Sequence, residues 1–114
     1  MKEVTIIRRE RFSASHKLHN PNWDEQKNLE VFGGCSNPNW HGHNYELIVK
    51  IAGNMNYDTG FVMNLKELSS ILNNKIIDKV DHKNLNLDVD FLKGKMTSTE
   101  MLVVSFWEEI ETEI

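Results

Sequence analysis

The stretch Cys35-Ser36-Asn37-Pro38-Asn39-Trp40-His41-Gly42-His43-Asn44-Tyr45 decides how the rest of the chain is read. It holds the single cysteine and two of the five histidines in one short run. Successive side chains of a strand point to opposite faces, so a strand starting at His41 puts His41 and His43 on the same face. Gly42 between them leaves room for a ligand or another backbone to approach. Two imidazoles side by side, with a thiol just upstream, suit a metal ion held beside a nucleophile or base.

Downstream, residues 41 to 53 alternate as a strand: His41, His43, Tyr45, Leu47, Val49 and Ile51 share one face, with Asn44, Glu46 and Lys50 on the other. Upstream, residues 3 to 16 read as a second strand, with Val4, Ile6, Phe12, Ala14 and His16 on one parity. Arg8 and Glu10 interrupt that apolar face, which predicts a bulge or solvent contact at mid-strand. Sequential strands tend to be neighbours. If these two pair antiparallel, the end of the first meets the start of the second, and His16 joins His41 and His43. Catalytic zinc typically takes three protein ligands and keeps a fourth position open. With Cys35 as a fourth ligand the site would instead be closed and structural, and the residues alone leave both readings open.

Between the strands, Asn20-Pro21-Asn22 is turn chemistry. Asp24 to Phe32 is expected as a short helix stopped by Gly33-Gly34, with Cys35 following in an exposed, mobile position. A connection this long in a small domain is often functional. Past the second strand, a turn from Gly53 to Gly60 leads to Phe61-Val62-Met63, expected to open a third strand of an antiparallel meander. Asn64 with Glu67 has the form of a capping box and predicts a helix over 65–78, apolar at Leu65, Leu68, Leu72 and Ile76. Residues 79 to 96 read as irregular and carry Asp81-His82. Thr97 with Glu100 is a second capping box, opening a helix that runs to Ile114. That helix is apolar around more than half its girth, so it should pack on the sheet and against something further, such as another subunit.

A chain of 114 residues makes one domain, spanning residues 1–114. The net charge of -4 argues against a nucleic-acid binder, and local groups must hold any anionic substrate. One cysteine permits no internal disulfide, and the start lacks an apolar signal segment. No apolar run approaches the roughly 18 residues of a membrane helix. The expected location is cytoplasmic. An open metal site, a thiol and an Asp-His pair together suit proton transfer beside a carbonyl or hydroxyl. The metal would act as Lewis acid, with thiolate and His82 as base and acid.

Four motifs now stand in order: Phe12-Ser13-Ala14-Ser15-His16; Cys35 followed by His41-Gly42-His43-Asn44-Tyr45; Asp81-His82-Lys83-Asn84-Leu85-Asn86; and Thr97-Ser98-Thr99-Glu100. Together they resemble the 6-pyruvoyl-tetrahydropterin synthase family over nearly the whole chain. The resemblance implies the α+β tunnelling fold (T-fold), an antiparallel sheet with two helices on one face. It also implies homo-oligomers, trimers that stack in pairs as hexamers. The implied reaction converts 7,8-dihydroneopterin triphosphate to 6-pyruvoyl-tetrahydropterin with loss of triphosphate, a lyase step of tetrahydrobiopterin biosynthesis. By that resemblance His16, His41 and His43 bind zinc, which holds the substrate's side-chain hydroxyls, and Cys35 abstracts a proton. Asp81 and His82 complete the relay from a neighbouring subunit, and Thr97, Thr99 and Glu100 match the segment lining the pterin pocket.

Five residues separate Cys35 from His41. This resembles the biopterin-pathway branch, whereas the queuosine-pathway relative, 6-carboxy-tetrahydropterin synthase, usually has three and is the alternative product class. A folate-linked branch carries Glu in place of the Cys. Two departures accompany the resemblance. Trp40 stands where the family commonly has Gly. The sequence also ends at Ile114, ahead of a final family strand whose glutamate anchors the pterin ring. A non-catalytic pterin-binding or assembly module is therefore the expectation from another class.

Overall fold

The computed structural model describes residues 2–114. Its frame is one antiparallel ribbon of two 14-residue strands, β1 (Glu3–His16) and β2 (His41–Asn54). Their register runs unbroken from Glu3 opposite Asn54 to His16 opposite His41. Of the bulge or solvent contact expected at Arg8 and Glu10, solvent contact is what occurs: the Arg8 side chain is 41% exposed, and no bulge forms because the two charges pair with each other. Arg8 Nε donates to Glu10 Oε1 at 3.0 Å, and Ser69 Oγ donates to the same oxygen at 3.0 Å.

The register sets even positions of β1 beside odd positions of β2, so Phe12 faces Tyr45, Ala14 faces His43 and His16 faces His41. Helices cover that side. α1 (Glu25–Phe32) belongs to the long connection. α2 (Leu65–Leu72) continues through a π turn (Asn73–Ile77) into α3 (Asp78–Val80), and α4 (Thr99–Ile110) follows. Asn64 caps α2, its side chain accepting from Lys66 N at 2.9 Å. Leu68, Leu72, Ile76 and Val80 recur every fourth residue and are fully buried. They pack in one core with Phe12, Val49 and Ile51 of the ribbon and with Leu102, Phe106 and Ile110 of α4. The fold is α+β, with α2 and α4 on one face of the sheet. Val103, Val104 and Trp107 leave the other side of α4 exposed, as its apolar girth predicts.

The third strand lies elsewhere than expected. Among the described residues the sheet order is β2-β1-β3, where β3 (Lys83–Asn84) runs parallel to β1 at Ala14 and Ser15. Phe61-Val62-Met63 is not a strand. The preceding turn closes on Phe61, whose carbonyl accepts from Asn56 N at 3.1 Å, and Asn64 already caps α2. Too few residues remain between turn and cap to extend and pair. The segment 79–96 is likewise more ordered than expected. It supplies β3 and a 3-10 turn (Asp90–Leu92), and it buries Leu85, Val89 and Leu92 in the core.

The connection between β1 and β2 is pinned at several points. Asp24 caps α1 by accepting from Lys27 N at 2.7 Å, and Gly33, at φ 57, ends the helix with its N–H on Leu29 O. Buried Asn28 takes Asn20 N–H at 2.7 Å and donates to Asn20 O and Asp24 O, tying the turn to the helix. The molecule measures 59 × 25 × 21 Å with a radius of gyration of 17.3 Å. A compact domain of this length would have a radius of about 13 Å. The difference is the length of the ribbon.

Candidate active site

The antiparallel register delivers the three histidines to one place. Ring centroids are 4.5 Å apart for His16 and His41, 4.7 Å for His41 and His43, and 5.2 Å for His16 and His43. One ligand nitrogen from each lies within 4.8 Å of the other two. His16 is 7% exposed, and its Nδ1 lies 2.9 Å from the Thr97 carbonyl and 3.1 Å from Thr97 Oγ1. A carbonyl only accepts, so Nδ1 carries the proton and Nε2 keeps its lone pair.

His16 Nε2 and both ring nitrogens of His41 are buried without a hydrogen-bond partner among the described residues. Buried polar atoms are normally paired. Three clustered imidazoles, two of them with buried unpaired nitrogens, fit a bound metal ion. Burial chiefly lowers the pKa of His16 and of His41 below the usual histidine range. The hydrogen bond to Thr97 opposes this at His16, while the neighbouring imidazoles add to it at both. The cluster is therefore biased toward the unprotonated state a metal requires.

Cys35 lies in a 3-10 turn (Gly33–Ser36) and is half-buried, and its carbonyl accepts from Leu18 N at 2.7 Å. This corrects the expectation of an exposed, mobile thiol: the Asn28 network and the Leu18 bond fix the turn beside the end of β1. A cavity of about 430 Å³ joins Cys35 to His16, His41, His43, Tyr45, Ser98, Thr99 and Glu100. Among the described residues, the group that could hold a metal ion is made of the three histidines, without Cys35.

Thr97 is placed differently from Thr99 and Glu100. It is fully buried, and its hydroxyl bonds Asn86 Oδ1 at 3.1 Å besides meeting His16. Asn86 in turn accepts from Lys17 N and donates to Lys17 O, each at 3.1 Å. Because the Thr97 hydroxyl is engaged there, Ser98 caps α4 instead, accepting from Met101 N at 3.2 Å.

Asp81 and His82 form a pair, but away from this cavity. His82 Nδ1 is 3.1 Å from Asp81 Oδ1, an oxygen that also accepts from Ser13 N at 2.9 Å. His82 N donates to Ser13 O at 2.6 Å, so the pair is strapped to the edge of β1. The left-handed backbone at His82, φ 59, turns the ring back onto its neighbour. The Ser13 amide chiefly holds the Asp81 carboxyl below the usual carboxylate range, with His82 adding to it. His82 lines a cleft of about 580 Å³ with Ser13, Ser15, Asn44 and Asp88, and neither it nor Asp81 lines the Cys35 cavity.

Residues 5–114 match the family model described as 6-pyruvoyl tetrahydropterin synthase. The chain belongs to the 6-pyruvoyl tetrahydropterin synthase family. Its similarity to the 6-pyruvoyl tetrahydrobiopterin synthase of Dictyostelium discoideum is 45% identity over 107 residues, 94% of this chain and 78% of that protein. To the human protein of the same name it is 38% identical over 109 residues, 96% of this chain and 75% of that protein. The solved 6-pyruvoyl tetrahydropterin synthase structure from Caenorhabditis elegans superposes with a TM-score of 0.92 at 37% identity. That match covers 98% of this chain and 79% of the other.

Within this synthase family's pattern, Trp40 can now be explained. Its φ is 69, a left-handed conformation that glycine adopts freely and a bulky residue does not. Lys17 Nζ sits 4.5 Å over the Trp40 ring, a contact that holds the strained residue against the end of β1. Sequence reasoning missed three features beside the histidines: Asn86, the contact of Thr97 with His16, and the buried hydroxyl of Tyr45. Tyr45 had a signal, since it shares strand parity with the histidine pair. The other two are settled by contacts made far along the chain.

Proposed function

We propose that this chain is a zinc-dependent lyase that converts 7,8-dihydroneopterin triphosphate to 6-pyruvoyl-tetrahydropterin with loss of triphosphate. The observation that carries the reading is the single cavity holding three inward imidazoles and the thiol of Cys35, in a member of this family. The names of the relatives and the five-residue spacing from Cys35 to His41 favour the 6-pyruvoyl product over the 6-carboxy one.

In this reading His16, His41 and His43 hold the metal, and the Thr97 carbonyl fixes the tautomer of His16. Zinc, when bound, supplies a Lewis acid that orients and polarises the side-chain hydroxyls of the substrate. Cys35 takes the proton from the substrate carbon beside those hydroxyls. Thr99 and Glu100, at the first turn of α4, contact the pterin ring. Asp81 and His82 pass protons at the opposite side of the substrate, and they reach it from a neighbouring copy of the chain.

A homo-oligomer fits the shape of the single chain. The molecule, 59 Å along its longest axis, is long for its bulk, and Ile7 and Ile48, on the sheet face away from the helices, are 56% and 49% exposed. Among the described residues, β2 pairs only along the edge it shares with β1. Long uncovered edges invite pairing with another chain. Among the described residues no helix is long and apolar enough to cross a membrane, and the proposed place of action is the cytoplasm.

The test is to incubate zinc-loaded protein with dihydroneopterin triphosphate and analyse the products. Triphosphate with 6-pyruvoyl-tetrahydropterin supports the reading. Acetaldehyde with a 6-carboxy product assigns the queuosine-type reaction instead. Pterin binding without turnover assigns a binding module.

A further inference from the structure

Tyr45 lies two residues beyond His43 on β2, so its side chain rises from the same face of the ribbon. The ring is fixed in place. It stacks on Phe12 at 4.7 Å and 9°, and it meets the rings of His43 and His16 edge-on at 5.6 and 6.2 Å. Phe12 is itself locked edge-on against Phe106 of α4, at 5.9 Å.

This packing leaves the phenol oxygen buried with no hydrogen-bond partner among the described residues, although Tyr45 lines the cavity that Ser98, Thr99 and Glu100 also line. A buried hydroxyl left unpaired is destabilising, and folded proteins normally satisfy such groups. The fold therefore holds a rigid aromatic platform at the cavity wall, and a polar group entering the cavity is the candidate partner for its phenol. A phenol keeps its proton near neutral pH and is available as a donor.

Resting on the pterin-synthase reading above, we propose that Tyr45 is a catalytic residue whose phenol donates a hydrogen bond to a hydroxyl oxygen of the substrate's side chain. The ring's two nearest imidazoles belong to the metal cluster, so the phenol meets the side chain rather than the pterin ring. Its contribution is to fix which hydroxyl lies toward the metal and which C–H is presented to Cys35. The contact is lost by removing one oxygen, with the ring packing left intact.

The experiment compares wild type with Tyr45→Phe, which keeps the stacking on Phe12. Steady-state kinetics with dihydroneopterin triphosphate are measured together with metal content and the melting temperature of the substrate-free protein. Binding of neopterin, which carries a hydroxylated side chain, and of 6-methylpterin, which lacks one, is followed by fluorescence.

The expected result is a fall in kcat/KM of tenfold or more, with unchanged metal content and a substrate-free melting temperature equal to or above wild type. Neopterin binding should weaken by a similar factor while 6-methylpterin binding stays the same. An active wild type with Tyr45→Phe within twofold of it would overturn the proposal. Equal weakening for both pterins, or a lower melting temperature with unchanged kinetics, would do so as well. Wild type inactive on this substrate would instead count against the proposed reaction, and the two pterin affinities would still decide the role of Tyr45.

Discussion

The histidine cluster and the Asp81–His82 pair are both anchored on the last turns of β1, yet they are built to opposite standards. His16 is 7% exposed, locked by Thr97, and joined by His41 and His43 through backbone register alone. Its ligand set is complete within one chain. Asp81 and His82 are also preformed, but their side chains are 36% and 83% exposed, and the cleft that His82 lines reaches His43 but not Cys35, His16 or His41. The three histidines that could hold a metal are thus assembled by the folded chain alone, whereas the proposed proton relay is finished only when a second copy brings its Asp81–His82 to this cavity. Variants that touch the two regions should separate these properties.

The largest effect is expected at the cluster. His43→Ala should abolish metal retention and turnover together, because two imidazoles do not make the three-ligand site; the check is metal analysis after dialysis beside the product assay. His43 is solvent-exposed and outside the buried core, so its removal should leave the circular dichroism spectrum unchanged. Retained stoichiometric zinc would contradict the ligand set. Cys35→Ala should lower turnover by roughly 10²–10⁴, the range expected for loss of a positioned base, while metal content stays at the wild-type value. Loss of zinc in this variant would make Cys35 a ligand and the site structural.

Acid should act on the cluster in the same direction. His16 and His41 have folded-state pKa values below the usual 6.5, so between the lowered value and 6.5 the unfolded chain binds more protons than the folded one. Stability rises with pH through that window. The contribution is full above about pH 6.5 and is lost as pH falls through the lowered values. Thermal unfolding of metal-free protein should show this slope, and metal affinity should fall on the same side. Asp81, with its carboxyl held low, stays ionised throughout that window. A melting temperature independent of pH there would remove the stated bias of the cluster.

The smallest effect is expected at Trp40, which borders the cluster without contributing to it. Trp40→Gly removes a left-handed strain of about 1 kcal/mol and gives up a cation–π contact of about 0.5–1 kcal/mol. Stability should change by less than about 1 kcal/mol, read by denaturant melts, with metal affinity unchanged. A large loss of metal would place Trp40 among the groups that hold the site.

The contrast also separates what the chain makes legible from what it hides. The parity of Phe12, Ala14 and His16 against His41, His43 and Tyr45 is a local pattern, and antiparallel pairing follows from connectivity. The ligand triad and the limits of β1 could therefore be read directly. β3 could not, because two residues carry no periodicity and Lys83–Asn84 is recruited by the open edge of β1. Thr97 was assigned to a cap and a pocket by rules that Ser98 and Thr99 satisfy equally well. Only a bond to His16 across 81 residues shows where it belongs. The thiol was expected to be mobile since two glycines precede it, while the order comes from buried Asn28 further upstream.

The central claim, that one chain supplies metal and thiol and its neighbour supplies the Asp-His pair, is tested most directly by mixing two inactive variants. Cys35→Ala and His82→Ala are each assayed alone, then refolded together and assayed again. Random mixing in a cyclic oligomer leaves about one interface in four with both groups intact. The account predicts that the mixture regains about that share of wild-type activity. A mixture that forms mixed oligomers by mass spectrometry and stays as inactive as its components would contradict it.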